Sequence, residues 1–341
     1  MRLSGSYIPN DTAETRRKLL DIIGFQSVDE AFSDIPERVR IAKRLSLPKS
    51  RSEAEVRREV ERILNKNITV KDHLSFLGGG AWSHYVPSAV DTIAGRGEFL
   101  TSYTPYQPEI SQGMLQCLFE YQSMMAELLE VDVVNSSMYD WATSLGEASR
   151  MAGRISHRSE FVVPHFISPE RLATLKSYTE PAGIRIREVS QSLRNGQIDL
   201  EDLKEKTSSN TAGVYVENPS YLGYLIHHLR DLAEIAHDVG SLFLVGVDPT
   251  SLGVIKPPGT YGADIVIGEG QPLGNYLNYG GPFLGILACR NDPQLVRQIP
   301  GRLVGMTTTK DGLERGYCMV LQTREQHIRR ENATSNICTN H

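Results

Sequence analysis

The sequence predicts an α/β fold in which helices cover both faces of a mostly parallel sheet. Six short apolar runs have the length and composition of buried strands. They are Phe161–Val163, Ile184–Val189, Gly213–Val216, Leu242–Val247, Ile265–Ile267 and Phe283–Ala288. Continuous apolar strands that alternate with helices are typical of parallel sheets, because neither face of such a sheet meets water.

Helical periodicity appears between several of these strands and ahead of them. Apolar residues recur at helical spacing over 115–129 and over 142–152, and shorter helices are predicted at 170–178 and 229–239. These segments are long enough to cross from one strand to the next. They therefore supply the layers that a parallel sheet needs on its faces.

Residues 1–70 lack the alternation of apolar strands and helices seen in the rest of the chain, and they predict an N-terminal helical arm. Three residue pairs have the capping-box spacing that marks a helix start. They are Asp11 with Glu14, Ser27 with Glu30, and Ser52 with Glu55. Narrow apolar stripes on charged helices make a poor core, so we expect the arm to lie on something larger. We assign 71–300 to the large α/β domain and 301–341 to the start of a C-terminal domain.

Composition excludes several classes of protein. The 341 residues are 40% hydrophobic and 23% charged, with a net charge of −5 and no concentrated basic face, which argues against nucleic-acid binding. No apolar run approaches the length of a bilayer span, and no secretory signal is visible. The four cysteines are scattered and no metal-ligand spacing occurs. We expect a cytoplasmic protein that holds no metal and binds no membrane.

The segment Thr101–Gly113 is the strongest candidate for a functional loop. Its sequence, TSYTPYQPEISQG, places polar side chains on a backbone that two prolines stiffen. The candidates are Tyr103, Tyr106, Gln107, Glu109, Ser111 and Gln112. An ordinary surface loop would have a similar composition, so the sequence alone leaves both interpretations open.

The segment Asn135–Glu147, NSSMYDWATSLGE, leads into a helix. Ser137 and Asp140 have the spacing of a capping box, and a helix N-terminus is also a ready anion site. Tyr139 and Trp141 are bulky where a phosphate cradle has small residues. A structural helix cap is therefore the favoured interpretation. The glycine-rich segment Phe76–Pro87, FLGGGAWSHYVP, predicts either a tight connection or a functional loop.

Asp248 directly follows a buried strand, which is where open α/β sheets place their ligands. A second strand ends near Ile267, and a glycine-rich loop follows it. This order resembles the core of the aspartate-aminotransferase-like, fold type I enzymes that use pyridoxal phosphate (PLP). In those enzymes the Asp pairs with the pyridinium nitrogen, and a Lys just after the next strand forms the Schiff base.

That lysine is missing here. Lys256 is the only lysine between Lys206 and Lys310, and it precedes the strand that a Schiff-base lysine should follow. The expected stretch has Gln271, Pro272 and Asn275 instead, none of which forms an imine with an aldehyde. We infer that this chain cannot hold PLP covalently. For Asp248, a relic position or a structural residue at a strand end is then as good an interpretation as a cofactor ligand.

Several motifs together resemble one family. They are FLGGGAWSHYVP, YTPYQPEISQG, NSSMYDWATSLGEA, GADIVIGEGQPLG, NYGGPFLG, GRLVG and REQHIRRENATSNICTN. They look like glycine dehydrogenase (decarboxylating) subunit 1, the alpha half of the split P-protein of the glycine cleavage system. The resemblance implies a fold type I large domain and a PLP lysine that belongs to subunit 2. It also implies an α2β2 assembly that decarboxylates glycine and passes the aminomethyl group to the lipoyl arm of H-protein.

The resemblance implies a role for the loop as well. Tyr103, Tyr106, Gln107, Glu109, Ser111 and Gln112 would reach across the subunit interface toward the partner's PLP pocket. Family members continue past TSNICTN, so we expect the C-terminal small domain to be truncated in this chain. Two alternatives stay open. One is a scaffold or regulatory pseudoenzyme that supports subunit 2, and the other is a stand-alone PLP-dependent lyase or desulfurase.

Overall fold

The computed structural model describes residues 12–41, 45–76, 78, 80, 82–277, 283–321 and 334. The chain divides into two compact units, residues 1–72 and 73–341. No helix within these described ranges is long and apolar enough to cross a membrane.

The N-terminal unit consists of helices α1 (Ala13–Ile23) and α2 (Glu53–Leu64) and two short 3₁₀ turns. The predicted capping box of Ser52 and Glu55 is confirmed, with each side chain bonded to the other's backbone N–H. Ser27 instead precedes a 3₁₀ turn and makes no side-chain cap, so that predicted α-helix start is wrong. Asp11 lies outside the described residues, and Thr12 caps α1. None of the described residues in 12–72 is buried.

The second unit is built on a seven-stranded sheet with the order β1-β7-β6-β5-β4-β2-β3. Its strands are β1 (Val133–Val134), β2 (Glu160–Pro164), β3 (Arg185–Val189), β4 (Thr211–Glu217), β5 (Leu242–Val247), β6 (Ile265–Glu269) and β7 (Gly285–Cys289). Strands β2 to β6 pair in parallel, and β7 is antiparallel to both of its neighbours. All six predicted strands are confirmed, as is the mostly parallel sheet.

Helices cover both faces of this sheet, as predicted. The helices of this unit are α3 (Ser88–Ala94), α4 (Gly97–Leu100), α5 (Gln112–Leu129), α6 (Trp141–Ser156), α7 (Pro169–Thr179), α8 (Leu200–Lys206), α9 (Leu229–Asp238) and α10 (Pro293–Gln298). One apolar core joins the sheet to α5, α8 and α9, and a second joins its other face to α6, α7 and α10. The parallel strands β4, β5 and β6 lie between these two cores.

A hairpin, β8 (Leu303–Thr308) and β9 (Arg315–Val320), packs against α5. The buried Gln122 side chain donates to the Val304 carbonyl and accepts from the Val304 N–H, each at 2.9 Å. Residues 322–341 lie outside the described residues except for Thr334. The start of a C-terminal domain at 301–341 therefore stays a prediction.

Candidate functional site

The carboxyl ends of β4, β5 and β6 form the edge where a sheet of this kind binds its ligands. The first residue of α6, Trp141, is 6% exposed and lies against this edge. Its indole Nε1 donates to Tyr215 Oη at 2.9 Å, and Tyr215 Oη donates to Glu217 Oε1 at 2.9 Å. Gly246 makes room for the indole, since a Cβ at that position would lie 2.7 Å from Trp141 Cζ2.

Arg171 of α7 completes this cluster. Its guanidinium donates to both oxygens of Glu217 at 2.9 Å, and both side chains are buried. The guanidinium carbon also lies 4.3 Å from the centre of the Trp141 ring and 5.6 Å from that of Tyr221. Burial lowers the pKa of Arg171, but the facing Glu217 carboxylate together with Tyr215 and Tyr221 outweighs burial, and the net shift is upward. A bidentate pair of this kind fixes the orientation of both side chains.

Glu269, the last residue of β6, lies next to Trp141 at the N-terminus of α6. Its Oε2 accepts from the Trp141 backbone N–H at 3.2 Å, and its Oε1 accepts from the Gln271 and Leu284 N–H groups at 3.0 and 2.8 Å. Burial raises the pKa of Glu269 to about 7, against the lowering effect of these three donors. This carboxyl group therefore sits on the N-terminus of α6, where that helix would otherwise bind an anion.

The helix cap predicted in Asn135–Glu147 is confirmed, but its position was wrong by three residues. The Asp140 side chain accepts from the Thr143 N–H at 2.7 Å, and Thr143 Oγ1 accepts from the Asp140 N–H at 3.1 Å. Asp140 rather than Ser137 is therefore the N-cap. Ser137 instead has a positive φ of 129° in the turn before the helix.

Asp248 is tied into local structure. Its Oδ1 accepts from the Thr250 N–H at 2.9 Å and from Thr250 Oγ1 at 2.7 Å, which caps a 3₁₀ turn over Pro249–Gly253. After β6, the positions expected to hold a lysine are a 3₁₀ turn over Gln271–Leu273, in which Pro272 is buried. The residues at this edge therefore do not fit PLP: there is no amine for its aldehyde, and carboxyl groups occupy the helix N-terminus that its phosphate would need.

The six loop residues divide into an anchored group and an open group. Gln112 is anchored, because its amide donates to the Pro108 and Tyr317 carbonyls at 2.7 and 2.9 Å and accepts from the Tyr317 N–H at 2.8 Å. The half-buried Tyr106 hydroxyl accepts from Arg302 Nη2 at 3.2 Å. Ser111 is half-buried at the start of α5.

The open group is Tyr103, Gln107 and Glu109, all of them exposed, with Tyr103 at 71%. The loop lines a cavity of about 960 Å³ together with residues of α4 and α5. A second, mainly apolar cavity of about 900 Å³ adjoins it, and Tyr103, Phe99 and Met114 line both. The structure thus brings Tyr103, Tyr106, Gln107 and Ser111 together at a concave surface, whereas Glu109 and Gln112 are not among the residues that line it. Their action on a partner's cofactor stays a prediction.

The sequence analysis missed the buried polar residues of the sheet edge. Glu217 directly follows the predicted strand Gly213–Val216, and Glu269 lies two residues past the predicted strand Ile265–Ile267. Their place just after a buried strand was the available signal. Arg171 gives no such signal, because an arginine on a helix is ordinarily solvated and only the fold brings it to Glu217. Within the described part of the chain, no cluster of His, Cys, Asp and Glu is suited to a metal ion.

The strand order and the ligand edge define the class of the protein. This is the α/β architecture of the fold type I PLP-dependent enzymes. A sphingosine-1-phosphate lyase from Burkholderia pseudomallei shares the fold with a TM-score of 0.54 at 13% identity, covering 83% of this chain and 68% of that one.

The sequence then narrows this class to one family. The family model of the glycine cleavage system P-protein matches residues 5–341, and the chain belongs to that family. It is 54% identical to a probable glycine dehydrogenase (decarboxylating) subunit 1 from Staphylothermus marinus, covering 99% of this chain and 73% of that protein. The protein of the same name from Thermococcus kodakarensis is 53% identical, with 98% and 72% covered.

A solved structure agrees with this assignment. It is a glycine decarboxylase (P-protein) of the glycine cleavage system in inhibitor-bound form, with a TM-score of 0.87 and 43% identity. The match covers 98% of this chain and 73% of that one.

Proposed function

We propose that this chain is subunit 1 of a two-subunit glycine dehydrogenase (decarboxylating), working in the cytoplasm. The observation that carries the proposal is the 54% identity, over 99% of the chain, to a relative of that name. A name that specifies subunit 1 implies a subunit 2. The turn directly after β6, Gln271–Leu273, has no lysine to form a Schiff base, which supports placing PLP in that partner.

In this proposal, PLP in the partner supplies the electron sink for the loss of carbon dioxide from glycine. The aminomethyl group then passes to one sulfur of the lipoyl disulfide of H-protein, whose S–S bond is broken and reduced so that the other sulfur leaves as a thiol. This chain contributes binding and orientation from the loop 101–113. Exposed Tyr103 and Gln107 offer neutral hydrogen bonds to a substrate carboxylate. Exposed Glu109 offers a carboxylate that orients the glycine ammonium group or takes part in proton transfer.

The assembly in this proposal is an α2β2 heterotetramer whose active cleft lies between unlike subunits. Two homologous chains place equivalent surfaces together, so the loop of one faces the ligand edge of the other. The concave surface beside the loop, with its adjoining cavities, supports such a contact.

The first experiment purifies this chain and a subunit 2 separately and together, then measures glycine–bicarbonate exchange with lipoylated H-protein. We expect exchange only when both chains are present. We also expect the complex to have the mass of two copies of each chain. Full exchange by either chain alone would refute the proposal.

The second experiment separates a composite active site from a pure scaffold. We expect Glu109→Gln to lower the exchange rate roughly 100-fold with an unchanged thermal midpoint, because a general acid or base contributes about that much. Tyr106→Phe should raise the KM for glycine. Glu120→Gln is the matched control, since Glu120 is also exposed and bonds only Gln116 on its own helix. If Glu109→Gln and Tyr106→Phe both keep full rate and KM, the scaffold interpretation replaces the catalytic one.

A further inference from the structure

The ligand edge of this chain's own sheet is closed by side chains of the chain itself. PLP makes three demands on a site: space for a flat ring, donors for a phosphate, and an amine for the aldehyde. Each demand can be compared with the residues that now occupy the carboxyl ends of β4, β5 and β6.

The space for a flat ring is taken by another flat ring. The Trp141 indole lies over Gly246 of β5, bonds Tyr215 of β4 and is covered by the Arg171 guanidinium at 4.3 Å. Arg171 is held in place by two hydrogen bonds to Glu217. The indole N–H, the Tyr215 hydroxyl and both Glu217 oxygens therefore have partners within the chain, and opening the stack would leave a buried charge unpaired.

The donors for a phosphate are also committed. At the N-terminus of α6, the Trp141 N–H donates to Glu269 and the Thr143 N–H donates to Asp140. Two carboxyl groups thus take the place of an anionic ligand on the helix, and a phosphate would have to displace them from these N–H groups. The amine is absent, because Pro272 and its neighbours offer none.

We propose that this edge is a self-filled cofactor site, in which Trp141 and the Arg171–Glu217 pair substitute for the ring and Glu269 substitutes for the phosphate. The filling stabilises the sheet edge without cofactor and keeps free PLP out, covalently or not. In the assembly proposed above, each pair of unlike chains then carries one PLP. The inference concerns this chain alone and does not depend on glycine chemistry.

The test uses the full chain without a partner, with PLP as the probe. The sequence has two tryptophans, so Trp82→Phe leaves Trp141 as the only indole. We expect its fluorescence to resist iodide quenching and to show no saturable change on PLP titration, because the ring is buried and the site is closed. One saturable PLP site per chain, with quenching of Trp141, would overturn the inference.

A second measurement tests whether the filling supports the fold. We expect Trp141→Ala to lower the thermal midpoint by about 10 °C, and Trp82→Ala, at a half-buried position, to lower it by less than half as much. If Trp141→Ala does not fold, Tyr215→Phe gives the answer, since it removes only the hydroxyl between Trp141 and Glu217. Wild-type stability in the Trp141 variant, or in Tyr215→Phe where the former does not fold, would overturn the inference.

The two proposals fail in different ways. If the chains together fail to exchange glycine while this chain alone still excludes PLP, the proposed function is wrong and the self-filled site stands. If this chain binds PLP at one saturable site while the exchange assay needs both chains, the reverse holds.

Discussion

Two polar regions of the second unit, residues 73–341, differ in the exposure of their side chains. They are the sheet edge around Trp141 and the loop 101–113. At the edge, the polar groups of Tyr215, Glu217 and Glu269 are buried and bonded within the chain. In the middle of the loop, Gln107 and Glu109 are exposed. The position that the fold reserves for a ligand is thus closed, while a segment outside the sheet is open. Under the proposed function, this chain contributes to the chemistry through the loop and not through the ligand edge of its sheet.

The largest effect that sharpens this comparison concerns the buried ion pair. Arg171→Met leaves Glu217 as an unpaired buried charge, so we expect a loss of about 3–5 kcal/mol in the free energy of unfolding. The double variant Arg171→Met/Glu217→Gln should recover at least half of this loss, because no charge is then left unpaired. Denaturant unfolding of the three proteins measures both quantities. A loss below about 1 kcal/mol in the single variant would mean that water reaches the edge.

A smaller effect comes from the titration of Glu269. Its pKa in the folded chain is about 7, above the ordinary value of 4.5, because burial disfavours the charged form. Because the folded chain binds this proton more tightly than the unfolded chain, the protonated carboxyl group contributes to the free energy of unfolding. That contribution is fully present below pH 4.5 and is lost as the pH rises through 7. A shift of this size corresponds to as much as about 3 kcal/mol.

Glu269→Gln isolates this contribution from other titrating groups. Asp140 also faces Glu269 and helps to raise its pKa, and it remains in the variant. We expect the variant to lose the decline between pH 4.5 and 7, so that its disadvantage relative to wild type shrinks as the pH rises. Urea unfolding at four pH values across this window measures the difference. A constant difference across the window would show that Glu269 does not titrate there.

The smallest effect concerns the anchor of the open loop. Gln112→Ala removes the bonds to Pro108 and Tyr317, and we expect it to cost about 1 kcal/mol in unfolding free energy. It should also raise the KM for glycine in the two-chain assay, since the loop loses its fixed end. Gln116→Ala is the control on the same helix, because Gln116 bonds only exposed Glu120. Equal effects of the two substitutions would mean that the loop is positioned by other contacts.

The sequence predicted the sheet well because buried parallel strands leave a strong local pattern. Leu242–Val247 was predicted with the observed ends, and Gly213–Val216 fell within β4. The two-residue strand β1 was too short to leave any pattern. The β8–β9 hairpin has exposed or half-buried residues over most of its length and lacks the continuous apolar run of the other strands.

The sequence indicated the candidate loop and the missing lysine, but it did not indicate the buried cluster at the sheet edge. The loop was visible because its polar residues are adjacent in sequence, and the missing lysine because its expected place is defined by β6. The Trp141, Arg171 and Glu217 cluster joins residues 30 and 46 positions apart, which only the packing of α6 and α7 on β4 brings together. Trp141 was noted as too bulky for a phosphate cradle, but its partners could not be read from the sequence.

The N-terminal unit has a consequence for the life of the protein in a cell. Sixteen large apolar side chains between residues 12 and 72 are exposed. A partner that binds these side chains in the folded chain stabilises it by mass action. We therefore expect the apparent free energy of unfolding to rise with the concentration of that partner. Copies made in excess of their binding partner would be cleared by chaperones and proteases, since exposed apolar surface favours aggregation. The cellular amount of this chain would then be set by the supply of its partner and not by its own rate of synthesis.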